Sequence, residues 1–330
     1  MAETIASDAL WQGQNFPITK QRAIAWVNNP RAAPDDVVLL VAYDNGEVMA
    51  YLGVLPDRIF VAGETHKFAW FSTWWVQPSG GGGVGIILMK HALRLYDNHI
   101  GVSSYIETVR PIYDALQRFT CMATIEGISF EIGSSCTENL RIQTALECIQ
   151  ANQHVQVEYI AELDSETEQF IEINRGDELT RRGAPELNWL IRSPWILPAP
   201  VDDKNAQKYH FSSTSERFQF FSIKVFSENQ RMVGFLIIRL RDKNLTVPYA
   251  YWSDGQIDSV VQVIAMHFCS LKVSSLRLYN SELIKAFQKS GLPLEQKAAR
   301  RRDPLITNKF SNLCEGSVIL QDGDGDSAFV

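Results

Sequence analysis

The stretch Trp74-Trp75-Val76-Gln77-Pro78-Ser79-Gly80-Gly81-Gly82-Gly83-Val84-Gly85 has the residue types needed to hold a phosphate. An aromatic, β-branched strand runs into glycines, and the glycines run into an amphipathic segment. A helix starting there presents unpaired backbone N–H groups and a partial positive charge. Glycines let a phosphate or pyrophosphate come close to that backbone. A second grouping, Asp322-Gly323-Asp324-Gly325-Asp326, alternates carboxylates as calcium loops do. Ser327 stands at the sixth position, where such a loop needs glycine, so the segment reads as a flexible acidic tail. Arg300-Arg301-Arg302, preceded by Lys297, is the one basic cluster and reads as a solvated loop. The cysteines at 121, 136, 148, 269 and 314 are scattered, with no metal-binding spacing, so no metal site is expected. Their dispersal fits reduced thiols and a cytoplasmic setting.

The elements that must position these groups follow from periodicity and punctuation. A helical pattern over 19–29 is stopped by Pro30 and Pro34. Strands at 37–43 and 47–52 flank Asp44-Asn45-Gly46, a strong hairpin signal. Further strand material lies at 57–61 and 67–76. The spacing then predicts a helix over 84–97, with Ile86, Ile87, Leu88, His91 and Leu95 as its apolar stripe and His91 packed in the core. A short strand at 104–107, a helix at 111–119 and a strand at 123–132 complete this half. A similar order returns after residue 155, with strands at 218–226, 232–239 and 244–251, a helix at 257–271, a strand at 275–279 and a helix at 281–289. Recurrence at roughly 165 residues points to two related domains, 1–152 and 153–330.

Composition bounds the function. The chain has 330 residues, 45% hydrophobic and 21% charged, as expected of a globular protein large enough for two cores. A net charge of −7 leaves no basic excess to neutralise nucleic-acid phosphates. The apolar runs are strand-length, so no membrane partner is expected. Net acidity leans toward a cationic substrate.

The first half resembles the GNAT N-acetyltransferase superfamily. The resemblance rests on the hairpin "DNGEVMAYLGVLP", the strand, glycine loop and helix "WWVQPSGGGGVGIILMKHAL", and the strand and helix "YIETVRPIYDALQRF". It spans about 18–132 and, more weakly, 155–292. It implies an α/β (α+β) fold of two GNAT-like domains, each a mixed, mostly antiparallel sheet flanked by helices. The family's loop reads Arg or Gln, two residues, Gly, any residue, then Gly or Ala. Gly83-Val84-Gly85 matches its end, while the Arg/Gln position falls on Gly80, which removes one side-chain contact.

The resemblance implies acetyl-CoA or another acyl-CoA as cofactor. The backbone of Trp75 and Val76 would hold its pantetheine arm, and Gly80, Gly81, Gly82, Gly83, Val84 and Gly85 its pyrophosphate. Tyr113 would protonate the leaving thiolate, a task that suits a phenol with a pKa near 10; the alternative is a packed core tyrosine. Glu107 is the candidate base, or else a strand-end surface carboxylate. Ser72 and Thr73 could orient substrate. In the second half, Asp254 and Asp258 flank a single glycine and Phe287 takes the place of Tyr113, so that half is expected to be non-catalytic. The implied reaction is direct acyl transfer to the amine of a small-molecule acceptor. A catalytically inactive binding or scaffold protein on the same fold is the alternative. A dinucleotide-binding domain fits less well, because hairpins precede the glycine loop.

Overall fold

The computed structural model describes residues 18–78, 83–131, 155–198, 213–290, 292, 294–314 and 319–329. The expected domain boundary near 152 and loop positions Gly80, Gly81 and Gly82 lie outside the described residues. In chain order the elements are α1 (Lys20–Val27), β1 (Leu39–Asp44), β2 (Glu47–Val61), β3 (Glu64–Val76), α2 (Val84–Leu95), β4 (Ile100–Val102), α3 (Arg110–Leu116), β5 (Phe119–Cys121) and β6 (Ile128–Glu131). They continue with β7 (Gln156–Ile160), α4 (Ser165–Asn174), α5 (Ala184–Arg192), β8 (Ile196–Pro198), β9 (Ser213–Ser215), β10 (Phe218–Phe226), β11 (Met232–Arg241), β12 (Asn244–Trp252) and α6 (Ile257–Ser270). The last are β13 (Ser275–Leu278), α7 (Ser281–Lys289), β14 (Glu295–Ala298), β15 (Leu305–Thr307) and α8 (Asn308–Ser311).

Local chemistry explains many of the boundaries. Asn45 and Gly46 both take positive φ, at 47° and 84°, as the tight turn between β1 and β2 requires. Thr19 caps α1 by accepting the Arg22 N–H at 3.2 Å, and Asp164 caps α4 through Thr167 at 2.9 Å. Helix α2 buries Gly85, Leu88, Met89, Ala92 and Leu93. Its apolar stripe is therefore rotated from the expected one. Ile87 is 65% exposed and His91 is exposed rather than a core residue. The hydrophobic run around α2 is wide enough to allow either face, and packing on β2 and β3 selects the one with the smallest residues.

Two sheets result. The first has the order β1-β2-β3-β4-β15-β5 and the second β14-β6-β13-β12-β11-β10-β7. Each is antiparallel except for one parallel pair, β3 with β4 and β12 with β13. The sheets exchange strands: β6 pairs with β13 and β14 in the second, and β15 sits between β4 and β5 in the first. Helices α2 and α3 cover the outer face of the first sheet, around Leu52, Phe71 and Tyr113. Helices α6 and α7 cover the outer face of the second. A third apolar cluster joins the inner faces, bringing Leu55 and Trp70 together with Trp26, Leu187, Phe235, Tyr251 and Phe329. No helix among the described residues is long and apolar enough to cross a membrane.

A buried polar network crosses this inner layer. Asp57 on β2 is 2% exposed and accepts from Arg31 at 2.6 Å, Arg182 at 3.0 Å and the Trp70 indole at 2.9 Å. Burial opposes its charge, but the Arg182 and Arg31 guanidinia outweigh burial and hold its pKa below the usual value. Arg31 also pairs with Glu186 on α5 at 2.8 Å. Arg182 reaches the Tyr249 hydroxyl at 2.8 Å and the carbonyls of Gly323 and Gly325 at 3.2 and 3.1 Å. Residues 322–326 are thus packed between the sheets, and the expectation of a flexible acidic tail is corrected. Its carboxylates find donors there, with Asp324 accepting from Thr180 at 2.8 Å. Its glycines are needed for fit, since a Cβ on Gly323 would lie 2.4 Å from the Tyr249 ring.

Two outcomes follow for stability. Asp57→Asn keeps the shape but leaves buried Arg182 without its anion and Arg31 with Glu186 alone, so urea unfolding should show a loss of about 3–5 kcal/mol. A loss near that of a surface ion pair, below about 1 kcal/mol, would contradict the network's role. Glu178 accepts from Gln321 at 2.6 Å, and burial followed by nearby Asp324 pushes its pKa up from 4.5 to about 7. Between these values the folded chain keeps a proton that the unfolded chain has lost, so this contribution falls as pH rises across that window. Glu178→Gln should flatten that fall and melt higher than wild type above pH 7. Parallel melting curves against pH for the two proteins would refute the assignment.

Candidate functional site

The parallel strands β3 and β4 separate. They pair only over Ala69–Phe71 and Ile100–Val102, whereas β3 runs on to Val76. Its edge from Ser72 to Val76 therefore has no strand beside it among the described residues. On the opposite edge β3 stays paired with β2, with one irregularity. Ser72 and Thr73 together oppose Gly53, because the register passes from Val54↔Phe71 to Leu52↔Trp74. Such a bulge frees backbone groups from the ladder and re-aims side chains. Trp75 and Val76, expected to line a cofactor arm, stand on this open stretch. Trp75 stacks on Tyr51 with centroids 5.3 Å apart, while Trp74 points to the other face, 6.3 Å from Tyr113.

Helix α2 starts beside that edge. Gly83 caps it with φ 107°, a conformation that favours glycine, and its carbonyl accepts from Ile87 at 3.0 Å. Among the described residues no side chain caps this terminus, and no acidic residue occupies the first turn. Its N–H groups and partial positive charge are thus available to an anion. A Cβ on Gly83 would meet nothing within 4 Å among the described residues. Gly85 has a different role. A Cβ there would lie 2.6 Å from Val76 and 2.7 Å from the Trp74 indole nitrogen. It lets α2 press against β3 instead of facing a ligand.

Tyr113 lies on α3 and is 4% exposed. Its ring is 5.2 Å from Phe119 and 5.7 Å from Tyr105. Burial raises the phenol's pKa, so it keeps its proton at neutral pH. Glu107 opens a single 3-10 turn after β4 and is exposed; it does not end a strand as expected. It lines a cavity whose wall includes Tyr105. Tyr105 thus touches the surroundings of both candidates.

Sequence reasoning missed Asp326. Its two carboxylate oxygens accept from Ser72 and Ser103, each at 2.9 Å. Ser72 follows the last paired residue of β3 and Ser103 the last of β4, so Asp326 bridges the strands where they part. Burial raises its pKa, opposed by the Arg22 charge. The only signal in the sequence was the alternation of Asp and Gly, whose reach across 223 residues to Ser103 no local pattern reveals.

The second sheet repeats the separation but not the opening. β12 pairs with β13 only as far as Thr246. Beyond it the Gly323 N–H donates to the Pro248 carbonyl at 2.9 Å, and the Gln321 amide lies 3.4 Å from the Ala250 carbonyl. The chain's own segment occupies this edge. Helix α6 carries Asp258 in its first turn, and Phe287 packs on Phe130 with centroids 4.7 Å apart.

No protein-family model matches the chain, and no curated protein matches it. Solved structures do. Saccharomyces cerevisiae N-myristoyltransferase with bound myristoyl-CoA aligns with a TM-score of 0.52 at 10% identity, over 88% of this chain and 70% of that one. A conserved protein of unknown function from Enterococcus faecalis V583, described as a probable N-acyltransferase, gives 0.52 at 10% identity over 88% and 65%. A GCN5-related N-acetyltransferase from Kribbella flavida gives 0.47 at 14% identity, and the chain spans 59% of that protein's length. Together with two sheets that each splay one parallel strand pair, the two likenesses at a TM-score of 0.52 show that the chain has the GNAT fold.

Proposed function

We propose that this protein is an acyl-CoA-dependent N-acyltransferase acting on the amine of a small molecule, with acetyl the first acyl group to test. One observation carries the reading: among the described residues, the β3 edge from Ser72 to Val76 is unpaired and lies beside an uncapped α2 terminus, whereas the matching edge of β12 is filled. The residues present fit the cofactor. The backbone of Trp75 and Val76 would pair with an amide-bearing pantetheine arm. Gly83, Val84 and the α2 terminus would face the pyrophosphate, with Gly80, Gly81 and Gly82 preceding them in the sequence. When bound, acyl-CoA supplies an acyl group activated as a thioester.

The remaining chemistry belongs to side chains. Tyr113 holds a proton at neutral pH and would pass it to the departing sulfur. An acceptor ammonium must lose a proton before its nitrogen can attack. Two carboxylates are candidates to receive it. Glu107 is exposed in the 3-10 turn after β4 and would act through water. Asp326 sits at the fork of the open strands, its pKa raised by burial. The second half, within 153–330, would brace the first and shape the acceptor site. The filled edge of β12 supports a non-catalytic role there, and it is also what a binding protein without catalysis would show.

Two experiments separate these readings. Gly83→Ala and Gly83→Asp share the same backbone strain, and only the second adds a charge. In calorimetry with CoA, Gly83→Asp should bind at least about tenfold more weakly than Gly83→Ala, through repulsion of phosphate at the helix terminus. Equal affinities would show that no phosphate approaches this turn. Tyr113→Phe removes a proton donor and almost no volume. Steady-state assays should show kcat falling by about 10²–10⁴ with acyl-CoA affinity unchanged. Full activity would leave Tyr113 as a packing residue.

A further inference from the structure

A cavity of about 370 Å³ lies between the end of β4 and the inner face of the second sheet. Its floor follows from strand register. Arg239 on β11 faces Thr246 on β12, and Thr246 faces Arg277 on β13. Directly paired residues share a sheet face, so these three form one polar row, and Arg241 lies on the same face two residues along. Their sequence neighbours Ile238, Leu240 and Leu245 point the other way into the outer core. Arg300, Arg301 and Arg302 also line it, together with Ser104, Tyr105 and Glu107. The basic cluster read as a solvated loop is therefore part of a cavity lining.

The lining is charge-imbalanced. Six guanidinia face the carboxylates of Glu107, Asp303 and Asp322. Arg301 pairs with Asp303 at 2.9 Å, and Arg302 pairs with Asp322 while stacking on Tyr279 at 3.6 Å. Arg241, Arg277 and Arg300 form no ion pair among the described residues. Arg241 reaches the Thr214 carbonyl at 3.3 Å, and Arg300 the Tyr105 carbonyl at 2.5 Å. Burial lowers the pKa of Arg239, and the positive charges of Arg241, Arg302 and Arg277 lower it further. Like charges gathered in a recess raise the local potential and concentrate anions there. Planar guanidinium forks suit the paired oxygens of carboxylate and phosphate. The same cavity is one ring from the reaction centre, because Tyr105 lines it and packs 5.7 Å from Tyr113.

We propose that this cavity binds a phosphate or carboxylate group of the acyl acceptor, so that the substrate is an amine that also carries an anion. The proposal rests on the acyltransferase reading for the word acceptor, and on the cavity alone for the anion. The chain's net negative charge does not argue against it, because the local charge has the opposite sign.

Calorimetry on the full chain tests it, with inorganic pyrophosphate and citrate as probes of the two anion classes and CoA as a third titrant. The wild type should bind at least one probe, and the probe bound identifies the class. Arg241→Gln/Arg277→Gln should weaken that binding by about tenfold or more and leave CoA affinity unchanged. Arg300→Gln, on an exposed segment, should weaken it in the same direction without a fold defect. Gly83→Asp should show the reverse pattern, losing CoA and keeping the probe. Failure of both probes to bind, or undiminished binding by the double variant, would overturn the anion site. Joint loss of CoA and probe in the double variant would assign the cavity to the cofactor's phosphates and overturn the acceptor assignment. Probe binding that needs the arginines in a chain that binds no CoA would sink the acyltransferase reading and leave the anion site standing.

Discussion

The buried carboxylate of Asp57 holds this structure's parts in register. An ion so far from water is tolerated only when its oxygens are fully used, and Arg31, Arg182 and the Trp70 indole use them. Each partner then reaches a different element. Arg31 ties the segment after α1 to Glu186 on α5. Arg182 ties the same point to Tyr249 on β12 and to the carbonyls of Gly323 and Gly325. Hydrophobic burial supplies most of the driving force between the sheets. It is not directional, and the charged network fixes which residues of the 319–329 segment lie where.

That placement makes the two similar sheets unequal. Gly323 reaches the edge of β12 past Thr246, where the second sheet would otherwise open. Three residues later Asp326 reaches Ser72 and Ser103, at the fork of the first sheet. One continuous segment closes one gap and places a carboxylate at the root of the other. The strand exchange reinforces the link, because β15 lies beside β4 in the first sheet while β6 lies beside β13 in the second. Pulling the first half of the sequence away from the second would break both pairings.

Much of this was legible in the residues. Asn45-Gly46 specified its hairpin because few other dipeptides accept two positive φ angles. The strand, glycines and helix at 74–89 gave both the fold resemblance and the position of the uncapped terminus. Local patterns misled where the deciding partner is distant in sequence. The face of α2 depended on Trp74 and Val76 pressing against Gly85, which periodicity cannot report, so His91 was placed inside. Asp322 to Asp326 looked solvated because five polar or small residues have no apolar period, yet their donors come from Thr180, Ser72 and Ser103. Arg300 to Arg302 looked solvated for the same reason, and only the register of β11, β12 and β13 shows the other guanidinia nearby.

The central claim is that one gap of two takes an acyl-CoA. A crystal structure of the full chain soaked with acetyl-CoA tests it most directly. The account predicts cofactor density along β3 from Ser72 to Val76, with its pyrophosphate at the α2 terminus and its thioester between Tyr113 and Asp326. Density along β12, or an empty first gap at a concentration that saturates binding in solution, would contradict it.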